Sequence, residues 1–128
     1  MKKGIFILSI TCLIFGLSSC KSKTSWVGTY SGVTPCADCS GIETQLTLNA
    51  DKTYQLSWKY QDKGEGVFQE SGAFQWSADK SIITLENLNA AQCPNMYKLG
   101  KESLIQLDLN GEEIIGDLAQ SYVLTKVQ

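Results

Sequence analysis

Between residues 42 and 60 apolar and polar side chains take turns almost without a break. Ile42, Thr44, Leu46 and Leu48 alternate with Glu43, Gln45, Thr47 and Asn49. Asp51-Lys52 makes a short turn, and Tyr54, Leu56, Trp58 and Tyr60 then alternate with Gln55, Ser57 and Lys59. A period of two is the period of a β-strand, and it gives each strand one face to bury and one to wet. Two such segments joined by a short turn read as strands that each need a partner face.

The remaining segments follow the same rule. Trp26 to Ser31 alternates around Gly28, and Val67 to Ser77 reads as a long or bent strand with Gly72 as its bulge or break. Ser81 to Glu86, Met96 to Leu99, Ser103 to Leu109 and Ser121 to Val127 complete the set. Lys63 to Gly66 is a loop, and Asn110-Gly111 is a tight-turn signal. One helical turn is expected near Asn87 to Cys93. Seven or eight short strands at regular spacing predict an all-β antiparallel barrel or sandwich. Closure into a barrel would leave no exposed edge. No repeat or linker interrupts residues 26–128, so they read as one domain. The aromatic positions Trp26, Tyr30, Tyr54, Trp58, Phe74 and Trp76 are expected to fill the interior rather than line a ligand cavity.

The N-terminus has a different character. Lys2 and Lys3 precede an apolar run from Gly4 to Leu17, too short to span a bilayer but suited to a secretory signal. The run ends in Leu17-Ser18-Ser19-Cys20, which resembles a bacterial lipobox. The expectation is a signal peptide over residues 1–19, lipidation at Cys20, and a tether over residues 20–25. No membrane-spanning segment would remain after processing. Lys21 follows the lipidated cysteine where an aspartate would retain a lipoprotein at the inner membrane of some enteric bacteria. The sorting expectation is therefore the outer membrane of the cell envelope.

Composition excludes several chemistries. The chain has no histidine, so a Ser–His or Cys–His nucleophile pair and a His-bearing zinc site are impossible. It has no arginine, and beyond the signal nine lysines face thirteen acids, a net charge of −4. That balance gives no footprint for nucleic acid. No two carboxylates are spaced to suggest a glycosidase pair, and Glu112-Glu113 reads as a solvated turn. No enzymatic activity is expected.

The chemistry concentrates in Pro35-Cys36-Ala37-Asp38-Cys39-Ser40-Gly41. Two cysteines three apart in a turn lie within disulfide reach, and a secreted protein meets an oxidising compartment. The loop they close is so small that it removes little unfolded-state entropy. A redox or metal role is therefore more plausible than a staple. Thioredoxin-like activation needs a helix N-terminus after the first cysteine, whereas Gly41 to Asn49 reads as a strand. For metal, two or three thiolates suit Cu(I). Cys93 is a further thiol, and Met96 a further thioether. The bland alternatives are an inert buried thiol or disulfide partner for Cys93, and core packing for Met96.

The stretch from Val33 to Thr44, with its Pro-Cys-Ala-Asp-Cys-x-Gly-Ile core, resembles the signature of the NlpE N-terminal domain family. The resemblance continues through Asp51 to Leu56, Glu70 to Trp76, Ile82 to Leu85, Tyr97 to Leu109, Ile114 to Leu118 and Tyr122 to Leu124. It implies a small lipocalin-like β-barrel anchored by lipid to a membrane, with a link to copper homeostasis and envelope stress. It makes Cys36 and Cys39 the candidate copper or redox pair, and a two-component sensor kinase the candidate partner. Some members carry a second domain with further cysteines. This sequence ends at Gln128, so signalling through a second domain is not expected. The function that follows is sensing or buffering of copper or thiol-redox stress. The alternatives are a lipocalin-like carrier of a small apolar ligand, or an adhesion module without a small ligand.

Overall fold

The computed structural model of the chain describes residues 25–37, 39–64, 66–88 and 94–128. The expected signal peptide, Cys20, Asp38 and Cys93 lie outside these residues. The strands are β1 (Gly28–Thr34), β2 (Ile42–Leu48), β3 (Thr53–Tyr60), β4 (Phe68–Trp76), β5 (Ile82–Leu85), β6 (Met96–Gly100), β7 (Ser103–Gln106) and β8 (Val123–Lys126). Each pairs antiparallel with the next in sequence, and β8 returns to β1. The result is a closed, eight-stranded up-and-down barrel. β1 and β8 share the pairs Tyr30↔Lys126 and Ser31↔Thr125. The seam is extended by Thr29 N–H to the Gln128 carbonyl at 3.0 Å and Val127 N–H to the Thr29 carbonyl at 2.8 Å.

The period-two pattern sets the register. Leu46 faces Leu56 and Leu48 faces Tyr54 across β2 and β3, so the apolar halves of both strands point inward. Tyr30, Leu46, Leu48, Tyr54, Leu56, Phe74, Ile83, Leu85, Tyr97, Leu104 and Leu124 form one buried core. Burying one such large apolar side chain is worth about 1.5–3 kcal/mol. Two core tyrosines satisfy their hydroxyls on backbone: Tyr30 donates to the Trp26 carbonyl at 2.8 Å and Tyr54 to the Glu86 carbonyl at 2.6 Å. Burial, with Glu102 nearby, raises the Tyr30 pKa and keeps it a donor.

The strand directions give the barrel two ends. One holds the hairpin turns 49–52, 77–81 and 101–102, where Lys52, Lys80 and Glu102 take positive φ. Trp26 closes this end, its ring edge-on to Phe74 at 5.7 Å and to Trp76 at 5.4 Å. Gly28 is obligatory here: its φ is +148°, and a Cβ would lie 2.3 Å from the Gln128 carbonyl oxygen. The other end carries the longer connections 35–41, 61–67, 86–95 and 107–122.

Several details differ from the sequence expectation. β4 runs through Gly72 without a bulge, with Tyr54↔Gly72 in unbroken register. Gly72 is instead a close-approach site, since a Cβ there would crowd the Glu86 carbonyl and the Tyr54 ring at 3.2 and 3.3 Å. Asn87 and Leu88 are not helical, and residues 89–93 lie outside the described set. The one described helical turn is a 3-10 turn at Ala119–Tyr122. The Asp108–Gly111 turn forms as the Asn-Gly signal predicts, with Gly111 N–H on the Asp108 carbonyl at 3.0 Å. It lies inside the long connection from β7 to β8 rather than in a simple hairpin.

Candidate functional site at the open end

Cys36 and Cys39 sit in the β1–β2 connection at the open end and are joined as a disulfide, their α-carbons 5.3 Å apart. Two ties fix the loop to its neighbour. The Gly41 carbonyl accepts the Gln61 backbone N–H at 2.9 Å, and the Ser40 hydroxyl donates to Asp62. Gly41 is a close-approach site: a Cβ there would lie 2.6 Å from the Val33 side chain and 3.0 Å from the Gln61 side chain, so these neighbours would have to shift. Gln61 Nε2 also reaches Glu43 at 3.3 Å. The loop is thus strapped to the β3–β4 connection on one side and left with its sulfurs at the rim.

Cys39 Sγ lies 3.2 Å from the Gly41 carbonyl oxygen. In the disulfide this sulfur carries no proton, so the approach is a contact. No helix begins here: the chain runs from the pair into β2. The thioredoxin type of activation therefore has no structural basis at this site.

Below the loop a cavity of about 250 Å³ opens between the strands. Thr34, Pro35 and Thr44 form one side, Trp58 and Tyr60 another, and Pro94, Gln106 and Tyr122 the third, above Leu56 and Tyr97. Trp58 stacks on Phe68, centroids 5.5 Å apart and 16° between planes. Of the aromatic residues expected to fill the interior, Tyr30, Tyr54 and Phe74 do so completely, and Trp26 and Trp76 pack against them. Trp58 also packs against the core and in addition lines the cavity. A larger concavity of about 570 Å³ lies on the outer face among Gln45, Gln55, Ser57 and Gln69, away from the cysteines.

Met96 begins β6, and its sulfur sits where it would touch a Cβ on Gly111, at 3.3 Å. It packs under the 108–112 turn, on a different connection from the Cys pair. Cys93 and Cys20 lie outside the described residues. Among the described residues no three Cys, Asp or Glu side chains gather as a metal site, and no helix is long and apolar enough to cross a membrane. Two thiolates from Cys36 and Cys39, once reduced, are a donor set that fits Cu(I) chemically.

A closed eight-stranded barrel with a Cys-x-x-Cys loop at its open rim can now be compared with known proteins. The NlpE N-terminal domain family matches residues 30–117. The chain belongs to this family. Lipoprotein NlpE of Escherichia coli K12 is 33% identical over 131 residues, covering 89% of this chain. The chain spans about half the length of that relative, 53%. A crystal structure of a candidate lipoprotein from Shewanella oneidensis superposes with a TM-score of 0.70 at 42% identity, covering 79% of this chain and 88% of the other. The crystal structure of the Cpx pathway activator NlpE from Escherichia coli superposes with a TM-score of 0.56 at 29% identity, covering 79% and 51%. The likeness to NlpE therefore holds in sequence and in fold, over about half of that relative's length.

Proposed function

We propose that this chain is a lipid-anchored envelope protein of NlpE type that senses or buffers copper or thiol-redox stress through Cys36 and Cys39. The observation that carries the reading is the placement of the pair. It sits at the end of the barrel opposite Trp26, where the chain arrives from Cys20. An anchor at Cys20 would hold the closed end toward the membrane and turn the pair away from it. β1 alone, at about 3.3 Å per residue, separates the two ends by roughly 20 Å.

The chemistry is a two-state loop. Reduction of the disulfide by a dithiol breaks one S–S bond, adds a hydrogen to each sulfur and oxidises the dithiol. Cys36 and Cys39 then hold Cu(I) as thiolates, releasing their protons. Oxidation removes both ligands at once. Either change alters the loop from Pro35 to Gly41, which is the surface offered to a partner. The related Escherichia coli protein is named as an activator of the Cpx pathway, and an envelope sensor kinase is the partner class proposed here. The protein itself is proposed to be non-enzymatic, and the anchor to lie in the outer membrane.

An anaerobic Cu(I) competition titration on the reduced protein tests this reading, beside the Cys36→Ser/Cys39→Ser variant. Tight one-to-one binding that is lost in a still-folded variant is the expected result. Equal affinity in both proteins would remove the pair from the function.

A further inference from the structure

The cavity below the disulfide loop has a chemistry of its own. Apolar cavities of about 150 Å³ take up benzene, so a volume of about 250 Å³ accepts a molecule of one or two rings. Its floor is buried, with Leu56 and Tyr97 at 3% and 1% exposure. Its aromatic wall is Trp58, held in place by stacking on Phe68. No lysine, aspartate or glutamate is among the described residues that line it. A charged ligand would therefore lose its hydration without finding a counter-ion.

The cavity is not wholly apolar. Thr34 and Thr44 both face it and are almost fully buried. Both hydroxyls are directed at the same carbonyl, that of Ile42, at 3.5 and 3.3 Å. These are long, weak bonds, and a hydroxyl can rotate its proton and still offer lone pairs. With the Gln106 side chain they supply a small polar cluster within an aromatic, uncharged shell. Small-ligand sites have this general make-up.

We propose that this cavity binds a small neutral aromatic molecule bearing one hydroxyl or carbonyl group, and that the Cys36–Cys39 disulfide sets its affinity by fixing the Pro35 wall. Pro35 is bonded directly to Cys36 and lines the cavity. Reduction by a dithiol cleaves the S–S bond, converts both sulfurs to thiols and leaves the dithiol as a disulfide. The loop then loses its internal cross-link and keeps the ties through Gly41 and Ser40. The wall loosens and the ligand binds less tightly. By linkage the ligand favours the oxidised pair by the same factor. The binding site rests on its lining alone; only the coupling rests on the redox part of the proposed function.

The test uses the soluble form beginning at Lys21, which retains all eight strands and the whole core. It is kept oxidised and metal-free, labelled with ¹⁵N, and titrated with p-cresol. Saturable shifts at Thr34, Thr44, Trp58 and Gln106 are expected, with benzoate binding about tenfold more weakly because its charge is unpaired. Thr44→Leu, which fills the cavity, is expected to lower p-cresol affinity about tenfold with the circular dichroism unchanged. Should that variant fail to fold, the near-isosteric Thr34→Val is expected to weaken p-cresol about fivefold through its lost hydroxyl and leave toluene unaffected. Reduction with dithiothreitol, or the Cys36→Ser/Cys39→Ser variant, is expected to weaken p-cresol about fivefold. Shifts scattered away from the mouth, or equal binding of benzoate, would overturn the site. Equal p-cresol affinity in both redox states would overturn the coupling. Because no copper is present, neither outcome bears on Cu(I) binding, and a failed copper titration would leave the cavity result standing.

Discussion

The two ends of this barrel are built from the same eight strands and differ in almost everything else. The closed end is made of tight hairpins, each pairing an acid with a lysine: Asp51-Lys52, Asp79-Lys80 and Lys101-Glu102. Its interior is plugged by Trp26 packed edge-on to Phe74 and Trp76. The open end carries long connections, an excess of acids including Asp62, Asp108, Glu112 and Asp117, and the cavity. It also holds nearly all the large apolar side chains that are exposed among the described residues: Val33, Val67, Phe68, Leu109, Ile115 and Leu118. Val127 is the exception at the closed end. The closed end is built for packing and the open end carries the candidate site, so substitutions at the two ends should behave differently.

The largest effect is expected at the plug. Phe74 is 2% exposed and touches both Trp26 and Trp76, so Phe74→Ala should cost about 3–5 kcal/mol in urea unfolding. A loss below about 1 kcal/mol would mean that the closed end can collapse around the gap. Next comes a matched pair of glycine substitutions. Gly28→Ala meets a strained φ of +148° and a carbonyl 2.3 Å away, and should cost about 2 kcal/mol. Gly66→Ala, with nothing within 4 Å of its new Cβ, should be neutral or stabilise by up to about 1 kcal/mol. Equal effects at the two sites would erase the distinction between the ends.

The disulfide ranks lower still. It closes a loop of sequence separation 3, and chain entropy gives such a small loop at most about 2 kcal/mol. Cys36→Ser/Cys39→Ser should lower the urea midpoint modestly and leave the denaturant slope unchanged, because the same surface is exposed on unfolding. A collapse of the barrel in this variant would make the pair a structural staple after all.

The two ends were also unequally legible in the sequence. The closed end and the core followed from local signals. Strict alternation over Ile42–Leu48 and Thr53–Tyr60 set the register, and Asp51-Lys52 marked its turn. The strand count was readable to within one, because each strand pairs with its sequence neighbour; closure was not, since alternation leaves barrel and sandwich open and the β1–β8 pairing joins the two ends of the domain. The open end depends on contacts between connections distant in sequence. The Cys pair was visible as a motif. The Ser40–Asp62 and Gly41–Gln61 ties were not, because nothing local to Asp62 or Gln61 announces a partner some twenty residues away. Nor were Pro35, Pro94, Gln106 and Tyr122 foreseeable as walls of one cavity, since only barrel closure brings them together. Gly72 misled for a related reason: a glycine inside a strand signals either a bulge or a close neighbour, and the neighbour, Glu86, lies on another strand's flank.

The smallest expected effect is electrostatic and belongs to the closed end. Asp79 accepts hydrogen bonds from the Ser77 hydroxyl at 2.7 Å, the Ser81 hydroxyl at 2.7 Å and the Ser81 backbone N–H at 3.1 Å. The Ser77 hydroxyl, followed by the two Ser81 donors, lowers its pKa to about 2. These bonds favour the charged carboxylate, so the folded pKa lies below the unfolded value of about 3.9. The contribution to stability is then fully present above about pH 4 and is lost as pH falls through about 2. The group is fully exposed, so solvent screening keeps the effect small. A carbon-detected titration should place the Asp79 carboxyl midpoint near 2 in the folded protein. Asp79→Asn should flatten the acid limb of the stability curve between pH 4 and 2 and leave its neutral-pH shape unchanged. A midpoint near 4 would mean that the 77–81 hairpin does not hold its side chains in solution, and the rigid closed end would then stop short of its turns.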